Sequence, residues 1–200
     1  MPWVNGFAER HGALTWSSTE RSVALSAADG ATAVLEPFVP GASNGPGAVD
    51  GLVGWAEPPT RLALILVRRG GYAVGLGRAA ELIAHKVGTR YVQSRTAAGG
   101  WSQHRFARRR DNQADALVGS VIEHTQRIVL ASPSDALVVG GDKTLIRDVL
   151  ADRRLARIAE LPRRELFDLP DPKLVVLRQA LRRGRAVRIT LSEPDADGVD

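Results

Sequence analysis

The chain has 200 residues, of which 44% are hydrophobic; this fits one globular domain with a small appendage and excludes wholesale disorder. It contains no cysteine, which excludes disulfides, thiolate metal sites and a cysteine nucleophile. Its 27 Lys and Arg against 22 Asp and Glu give a net charge of +5, a balance that favours a polyanionic partner.

The first part of the chain predicts a small mixed region. Apolar residues recur at helical spacing over 3–8, and Gly12 is placed to close that helix in the left-handed conformation. Residues 13–36 alternate apolar and small polar side chains, which predicts short antiparallel strands. Residues 37–59 are rich in Pro and Gly and predict a loop or linker. We therefore expect an N-terminal helix and β-hairpin region over 1–59, packed on the core.

Strand and helix patterns alternate after residue 60. Strands are predicted at 62–67, 72–76, 80–86, 90–94, 136–139, 157–161 and 187–191, with a turn at Gly140-Gly141. Helices are predicted from about His104 to Val129, at 143–150, and at 173–182, the last closed by Gly184. This alternation predicts an α/β domain over 60–192, with a mixed β-sheet flanked by helices and an acidic tail at 193–200.

An acid-free basic span is the first functional signal. Between Leu82 and Arg110 there is no Asp or Glu, and the span holds Lys86, Arg90, Arg95, Arg105, Arg108, Arg109 and Arg110. On a helix, Arg105, Arg108 and Arg109 share a face, and guanidinium groups make bidentate contacts with phosphate. Because solvated helix faces usually mix acids with bases, we favour contact with RNA phosphates.

A glycine pair inside this span forms a candidate tip. Gly99 and Gly100 give the backbone wide conformational freedom and let a bulky ligand approach closely. Gln103 adds a neutral amide that can orient a water or a hydroxyl. The alternative is an ordinary loop with Ser102 as the N-cap of the next helix. His104 is either an acid or base near neutral pH or a further polar group facing RNA.

Other motifs point away from cofactors. Residues 138–144 are similar to a phosphate loop, but Asp142 stands where a glycine is needed directly before the lysine, so we do not expect nucleotide binding. The N–H groups at the start of the following helix stay open to a phosphate. His85 and His124 show no metal-ligand spacing, and carboxylates do not pair as in a two-metal nuclease. We expect neither a metal nor a cofactor.

The runs 91–95, 98–103 and 105–114 carry a family resemblance. They resemble the Vms-like release factors and, more closely, the actinobacterial branch of peptidyl-tRNA hydrolases. The resemblance extends over about 1–191, and its specificity rests on 90–114. This family is related to the catalytic middle domain of eukaryotic and archaeal class-one release factors, whose Gly-Gly-Gln tip enters the peptidyl-transferase centre. The resemblance implies that middle-domain fold, with a β-rich N-terminal extension.

The resemblance also implies roles for individual residues. Gly99 and Gly100 would be the tip glycines and Gln103 the functional glutamine. Ordinary release factors have the glutamine directly after the glycines, whereas Trp101 and Ser102 intervene here, as residues do in the Vms-like family. Trp101 either stacks on an RNA base or folds back on the domain. The expected RNA-binding residues are Arg95, Trp101, Ser102, His104, Arg105, Arg108 and Arg109.

The implied function is hydrolysis of peptidyl-tRNA on stalled ribosomes or large subunits. The implied partners are the large ribosomal subunit, peptidyl-tRNA and ribosomal RNA, with a monomer off the ribosome. No apolar segment is long enough to span a bilayer and no signal core opens the chain, so we expect a cytoplasmic protein with no membrane partner. Two alternatives remain: an endonuclease that cuts the tRNA 3′ end, and a non-catalytic ribosome- or RNA-binding module of the same fold.

Overall fold

The computed structural model describes residues 2–19, 21–38, 52–89 and 102–194; for 52–53 and 102–112 it describes the backbone alone. In chain order the elements are α1 (Pro2–His11), β1 (Leu14–Ser18), β2 (Val23–Ala27), β3 (Thr32–Glu36), α2 (Leu52–Trp55), β4 (Arg61–Arg68), β5 (Gly71–Arg78), β6 (Glu81–Thr89), α3 (Ser102–Ile128), β7 (Ala136–Gly141), α4 (Lys143–Leu150), a 3₁₀ turn (Arg153–Leu155), α5 (Ala156–Ala159), β8 (Arg163–Leu166), α6 (Leu174–Arg185) and β9 (Arg188–Ser192). They form two compact units, the first made of residues 1–58 and 186–200, the second of 59–185. No helix in the described ranges is long and apolar enough to cross a membrane.

The first unit is a four-stranded antiparallel sheet in the order β1-β2-β3-β9. The predicted helix and strands are present, and Gly12 ends α1 with a φ of +90° while its N–H donates to the Ala8 carbonyl at 2.9 Å. The expected linker contains a short helix, α2, because Trp55 is buried in the core of this unit. The last strand, expected in the α/β domain, pairs instead with β3, where Ile189 lies opposite Leu35 and packs on the same core.

The second unit contains a five-stranded sheet in the order β6-β5-β4-β7-β8. Strand β4 is antiparallel to β5 and parallel to β7, and β7 is parallel to β8, so the predicted mixed sheet is confirmed. Residues Leu62–Val67 are at most 1% exposed, since helices cover both faces of this central strand. Helices α3, α4 and α5 share one apolar core with the sheet.

Helix α6 packs closely on β4, β5 and β7. A Cβ at Gly75 would meet the Leu177 side chain at 3.0 Å, and one at Gly184 would meet Val138 at 2.6 Å. Gly184 was predicted to close this helix, and that prediction is wrong. The glycine lies inside α6 and is buried, because the helix can approach β7 this closely only where it lacks a side chain.

Four further predictions need correction. The segment 157–161 is not a strand: Leu155 and Ile158 lie three residues apart and are buried, which suits helix α5, and β8 follows Pro162. Gly140-Gly141 is not a turn but the end of β7. Helix α3 begins at Ser102 rather than His104. The strand predicted at 80–86 is β6, which continues to Thr89. The strand predicted at 90–94 lies outside the described residues.

Candidate functional site

The candidate tip, residues 90–101, joins β6 to α3. Arg95, Gly99, Gly100 and Trp101 lie outside the described residues. Six other predicted site residues lie in the first turns of α3, where the helical backbone is described: Ser102, Gln103, His104, Arg105, Arg108 and Arg109. The structure therefore describes the two elements that support the tip, and the proposed roles of its side chains stay predictions.

The strand that leads into the tip is held by an aromatic stack. Tyr72 lies opposite Gly88 in the β5–β6 pairing, one residue before β6 ends. Its ring lies directly over Gly88: a Cβ there would be 2.5 Å from Cε1 and 2.6 Å from Oη. The other partner of the Tyr72 ring is His124 of α3, stacked at a centroid distance of 5.5 Å and an interplanar angle of 22°. This stack, Gly88–Tyr72–His124, joins the strand that enters the tip to the helix that leaves it.

From residue 113 onward, where its side chains are described, the helix that leaves the tip is anchored to the sheet by a buried stripe. Its first buried residue is Leu117, followed at one-turn spacing by Val121, Thr125 and, just beyond the helix, Val129, all 0% exposed. The buried Thr125 hydroxyl is satisfied because it donates to the Val121 carbonyl at 2.7 Å. At 1.5 Å per residue, about 22 Å of helix separates Ser102 from Leu117.

The basic excess of the chain belongs to the unit that carries the tip. Residues 59–185 contain 24 Lys and Arg against 12 Asp and Glu, a net charge of +12. The remaining residues contain 3 against 10, a net charge of −7. The net charge of +5 for the whole chain is therefore the sum of a strongly cationic unit and an acidic remainder. A strongly cationic unit is expected of a protein that binds RNA.

This cationic character reaches the support of the tip. Burial lowers the pKa of His124, and the neighbouring cations Arg127 and Lys86 lower it further. Lys86 lies on the same sheet face as His124 because it pairs with Val74, whose side chain belongs to the α3 core. The folded state thus favours neutral His124 in the stack, beside two cations.

The second possible phosphate site, at the start of α4, is closed. The carboxylate of Asp142 accepts hydrogen bonds from the N–H groups of Thr144 at 2.9 Å and Leu145 at 3.2 Å. These are N–H groups that an anion would need at this helix start. Gly141, with a φ of +101°, lets the chain turn against the Val67 carbonyl. The two glycines therefore serve the packing of β7 and α4, and the phosphate alternative is wrong.

Asp168, which lies before α6, has a structural role. Asp168 forms a two-pronged ion pair with Arg183, at 2.7 and 3.1 Å, and this hydrogen bonding lowers the pKa of Asp168. Among the described residues, no three His, Asp or Glu side chains come together as a metal could require.

Sequence reasoning missed the stack of Gly88, Tyr72 and His124. The stack could be predicted only from the pairing of Tyr72 with Gly88, and this pairing depends on a register shift between Leu76 and Gly77. A bulge adds one residue to one strand, so the partners beyond it cannot be counted from the turn.

The chain is similar to several solved structures. It matches the crystal structure of the archaeal translation termination factor aRF1 with 15% sequence identity and a TM-score of 0.43, over 82% of this chain and 47% of that one. It matches the Vms1 mitochondrial localization core with 12% identity and a TM-score of 0.49, over 84% of this chain and 76% of that one. The chain thus spans about half the length of the archaeal factor. No curated protein matches it.

One family profile covers most of the chain. The profile described as "Actinobacteria/chloroflexi VLRF1 release factor" matches residues 60–190. That range takes in the mixed sheet, the candidate tip and helices α3 to α6. It also contains every residue predicted for the site. The resemblance predicted from the runs between 91 and 114 is confirmed, and the chain belongs to the Actinobacteria/chloroflexi VLRF1 release factor family.

Proposed function

We propose that this protein hydrolyses peptidyl-tRNA on stalled ribosomes or large subunits, with the candidate tip in the peptidyl-transferase centre. The observation that carries the proposal is the Gly-Gly-Trp-Ser-Gln segment inside the matched range of a release factor family. In this proposal Gly99 and Gly100 allow close approach to the ester, and Gln103 acts on the attacking water. The expected partners are the large subunit, its RNA and peptidyl-tRNA.

Gln103 has two ways to assist the reaction. Its side-chain amide can orient the water that attacks the ester carbonyl. Its backbone N–H lies in the first turn of α3, where N–H groups have no acceptor within the helix and the helix dipole favours negative charge. Such a donor stabilises the oxyanion that develops on the carbonyl oxygen. Ribosomal RNA would supply the rest of the active site, so the protein needs no metal or cofactor for this step.

The remaining tip residues would bind RNA. Arg105, Arg108 and Arg109, which the sequence predicts on one face of the helix, would hold phosphates, and so would Arg95. Trp101 would stack on a base of the tRNA end or of ribosomal RNA. Ser102 and His104 would add polar contacts beside Gln103.

The test is single-turnover release of a labelled nascent chain from purified large subunits that carry peptidyl-tRNA. Removing an oxyanion or water-positioning donor costs about 10²–10³ in rate, so we expect that loss in Gln103→Ala. Gln126→Ala is the matched control, because Gln126 lies on the same helix near its far end. If Gln103→Ala releases the chain as fast as the wild type, the side chain has no catalytic role and only the backbone N–H remains.

The product separates the alternatives. Hydrolysis of the ester leaves a free carboxyl terminus on the peptide. Cleavage of the tRNA 3′ end leaves a nucleotide stub on the peptide, and that product would replace our proposal with the nuclease. Binding to the subunits without any release would mean a non-catalytic module.

A further inference from the structure

Helix α6 contains four arginines and no acid, and the fold uses two of them. Arg183 pairs with Asp168 at 2.7 Å, and Arg185 donates to the Pro59 carbonyl at 2.7 Å. The other two, Arg178 and Arg182, are exposed. Within the part of the chain that the structure describes, neither has a hydrogen-bond or carboxylate partner. The same helix therefore separates structural arginines from arginines left to meet a ligand.

The direction of Arg178 and Arg182 follows from helix geometry. At about 100° per residue, Arg183 and Arg178 fall on opposite sides of Leu177 around the helix axis. The Arg183 side chain lies toward β8, because it pairs with Asp168, two residues beyond the end of that strand, at 2.7 Å. The opposite side therefore faces the other edge of the sheet, which is β6. Arg182 follows Arg178 by one turn, about 6 Å along the axis, on that same side.

The neighbouring strand is the one that leads into the candidate tip. Leu177 contacts the sheet at Gly75, and Gly75 pairs with His85 of β6, so the exposed His85 lies on the α6 face of the sheet beside this side of the helix. From His85 the strand runs four residues to Thr89, where the tip segment begins. Beyond Glu81, β6 contains no acid. Arg178, Arg182 and His85 thus form a surface, called here the α6 flank, on the sheet face opposite α3.

We propose that the α6 flank binds the phosphate backbone of ribosomal RNA, as a second contact surface on the opposite face of the sheet from the tip helix. This inference rests on the proposed function for the identity of the RNA. Its physical basis is charge complementarity. Two guanidinium groups one turn apart, with no carboxylate partner among the described residues, can each take a phosphate. The planar guanidinium loses little conformational freedom for each hydrogen bond that it forms.

The rigidity of α6 supports this role. The buried side of the helix is closely packed at three points: a Cβ at Gly77 or Gly184 would clash with a neighbouring side chain, and one at Gly75 would be in tight contact with Leu177. Such packing fixes the helix on the sheet, so the two arginines keep a constant relation to β6. A protein partner would need carboxylates to match the flank, and the surroundings of a peptidyl-transferase centre are chiefly phosphate.

The test compares how salt weakens binding to purified large subunits carrying peptidyl-tRNA. Each phosphate contact contributes about 0.7–0.9 to the slope of log K against log salt concentration, so Arg178→Gln with Arg182→Gln should reduce the slope by about 1.4–1.8. Gln is a good helix former, so we expect the fold to be retained. The matched control is Arg147→Gln with Arg163→Gln. Both residues are exposed but paired with carboxylates, at 3.2 Å to Asp148 and 3.4 Å to Glu165.

We expect the α6 variant to raise the subunit concentration needed for half-maximal release and to leave the rate at saturation unchanged. A slope equal to that of the wild type would overturn the proposal, as would an equal loss in the control. The two proposals fail separately. If release does not occur but the slope still falls, the α6 flank binds RNA and the hydrolysis is wrong. If release depends on Gln103 but the slope is unchanged, only the α6 flank is wrong.

Discussion

The substitution Gly88→Ala tests the stack that holds the strand entering the tip. Gly88 does not have a positive φ, so the expected cost is steric. The new Cβ would lie 2.5 Å from Tyr72 Cε1, whereas ordinary contacts begin near 3.4 Å, so the ring must move by about 0.9 Å. Overpacking of this kind costs about 1–3 kcal/mol. If the ring also leaves His124, the lost aromatic contact adds about 0.5–1.5 kcal/mol.

The free energy of unfolding in urea measures this cost. Gly119→Ala is the matched control: Gly119 lies inside α3, where a Cβ meets nothing within 4 Å, so the change should stabilise by about 1 kcal/mol. On a Tyr72→Leu background, Gly88→Ala should cost close to nothing, which gives a coupling of about 1–3 kcal/mol, equal to the overpacking cost. The reasoning is refuted if Gly88→Ala is as stable as the wild type, or if its cost is the same with and without the Tyr72 ring.

Two further predictions concern capping and pH. Asp142→Ala should destabilise the protein by about 1 kcal/mol in the same urea assay, since it removes the acceptor of two N–H groups at the start of α4; an unchanged midpoint would contradict this. The pKa of His124 lies below its ordinary value of 6.5, so the folded state binds fewer protons than the unfolded state and stability should fall as the pH drops below about 6.5. His124→Phe keeps a ring on Tyr72 and should weaken this dependence. An NMR titration that places the His124 pKa at or above 6.5 would show the expected sign to be wrong.

Local patterns were enough for elements whose signal is contained in a few neighbouring residues. The aliphatic run from Leu62 to Val67 predicts a strand buried on both faces, and it is one. The helix at 143–150 is present with the predicted bounds, because Asp142 and the apolar spacing that follows form a complete local signal. One failed prediction is of a residue type that has more than one use. Gly184 reads as a helix end but serves close packing against Val138.

The residues that we assign to function also fall into two groups: those visible in the local sequence and those that depend on the fold. The acid-free span, the glycine pair and Gln103 are neighbours in sequence, so the chemistry they predict and the family they resemble can be read directly. The arginines of α6 are also visible in sequence, yet nothing local separates Arg178 and Arg182 from Arg183 and Arg185. That separation depends on which carboxylates and carbonyls the fold brings to each guanidinium.

The order of residues was therefore sufficient for the cationic tip, the mixed α/β character and the release factor family, because these depend on composition, periodicity and short motifs. The sheet partner of β9, the stack of Gly88, Tyr72 and His124, and the direction of the α6 flank came only from tertiary structure. Each of these joins residues that are distant in the chain. Contacts of that kind depend on strand register and on the rotation of a helix against a sheet, and a shift of one residue turns a side chain to the opposite face.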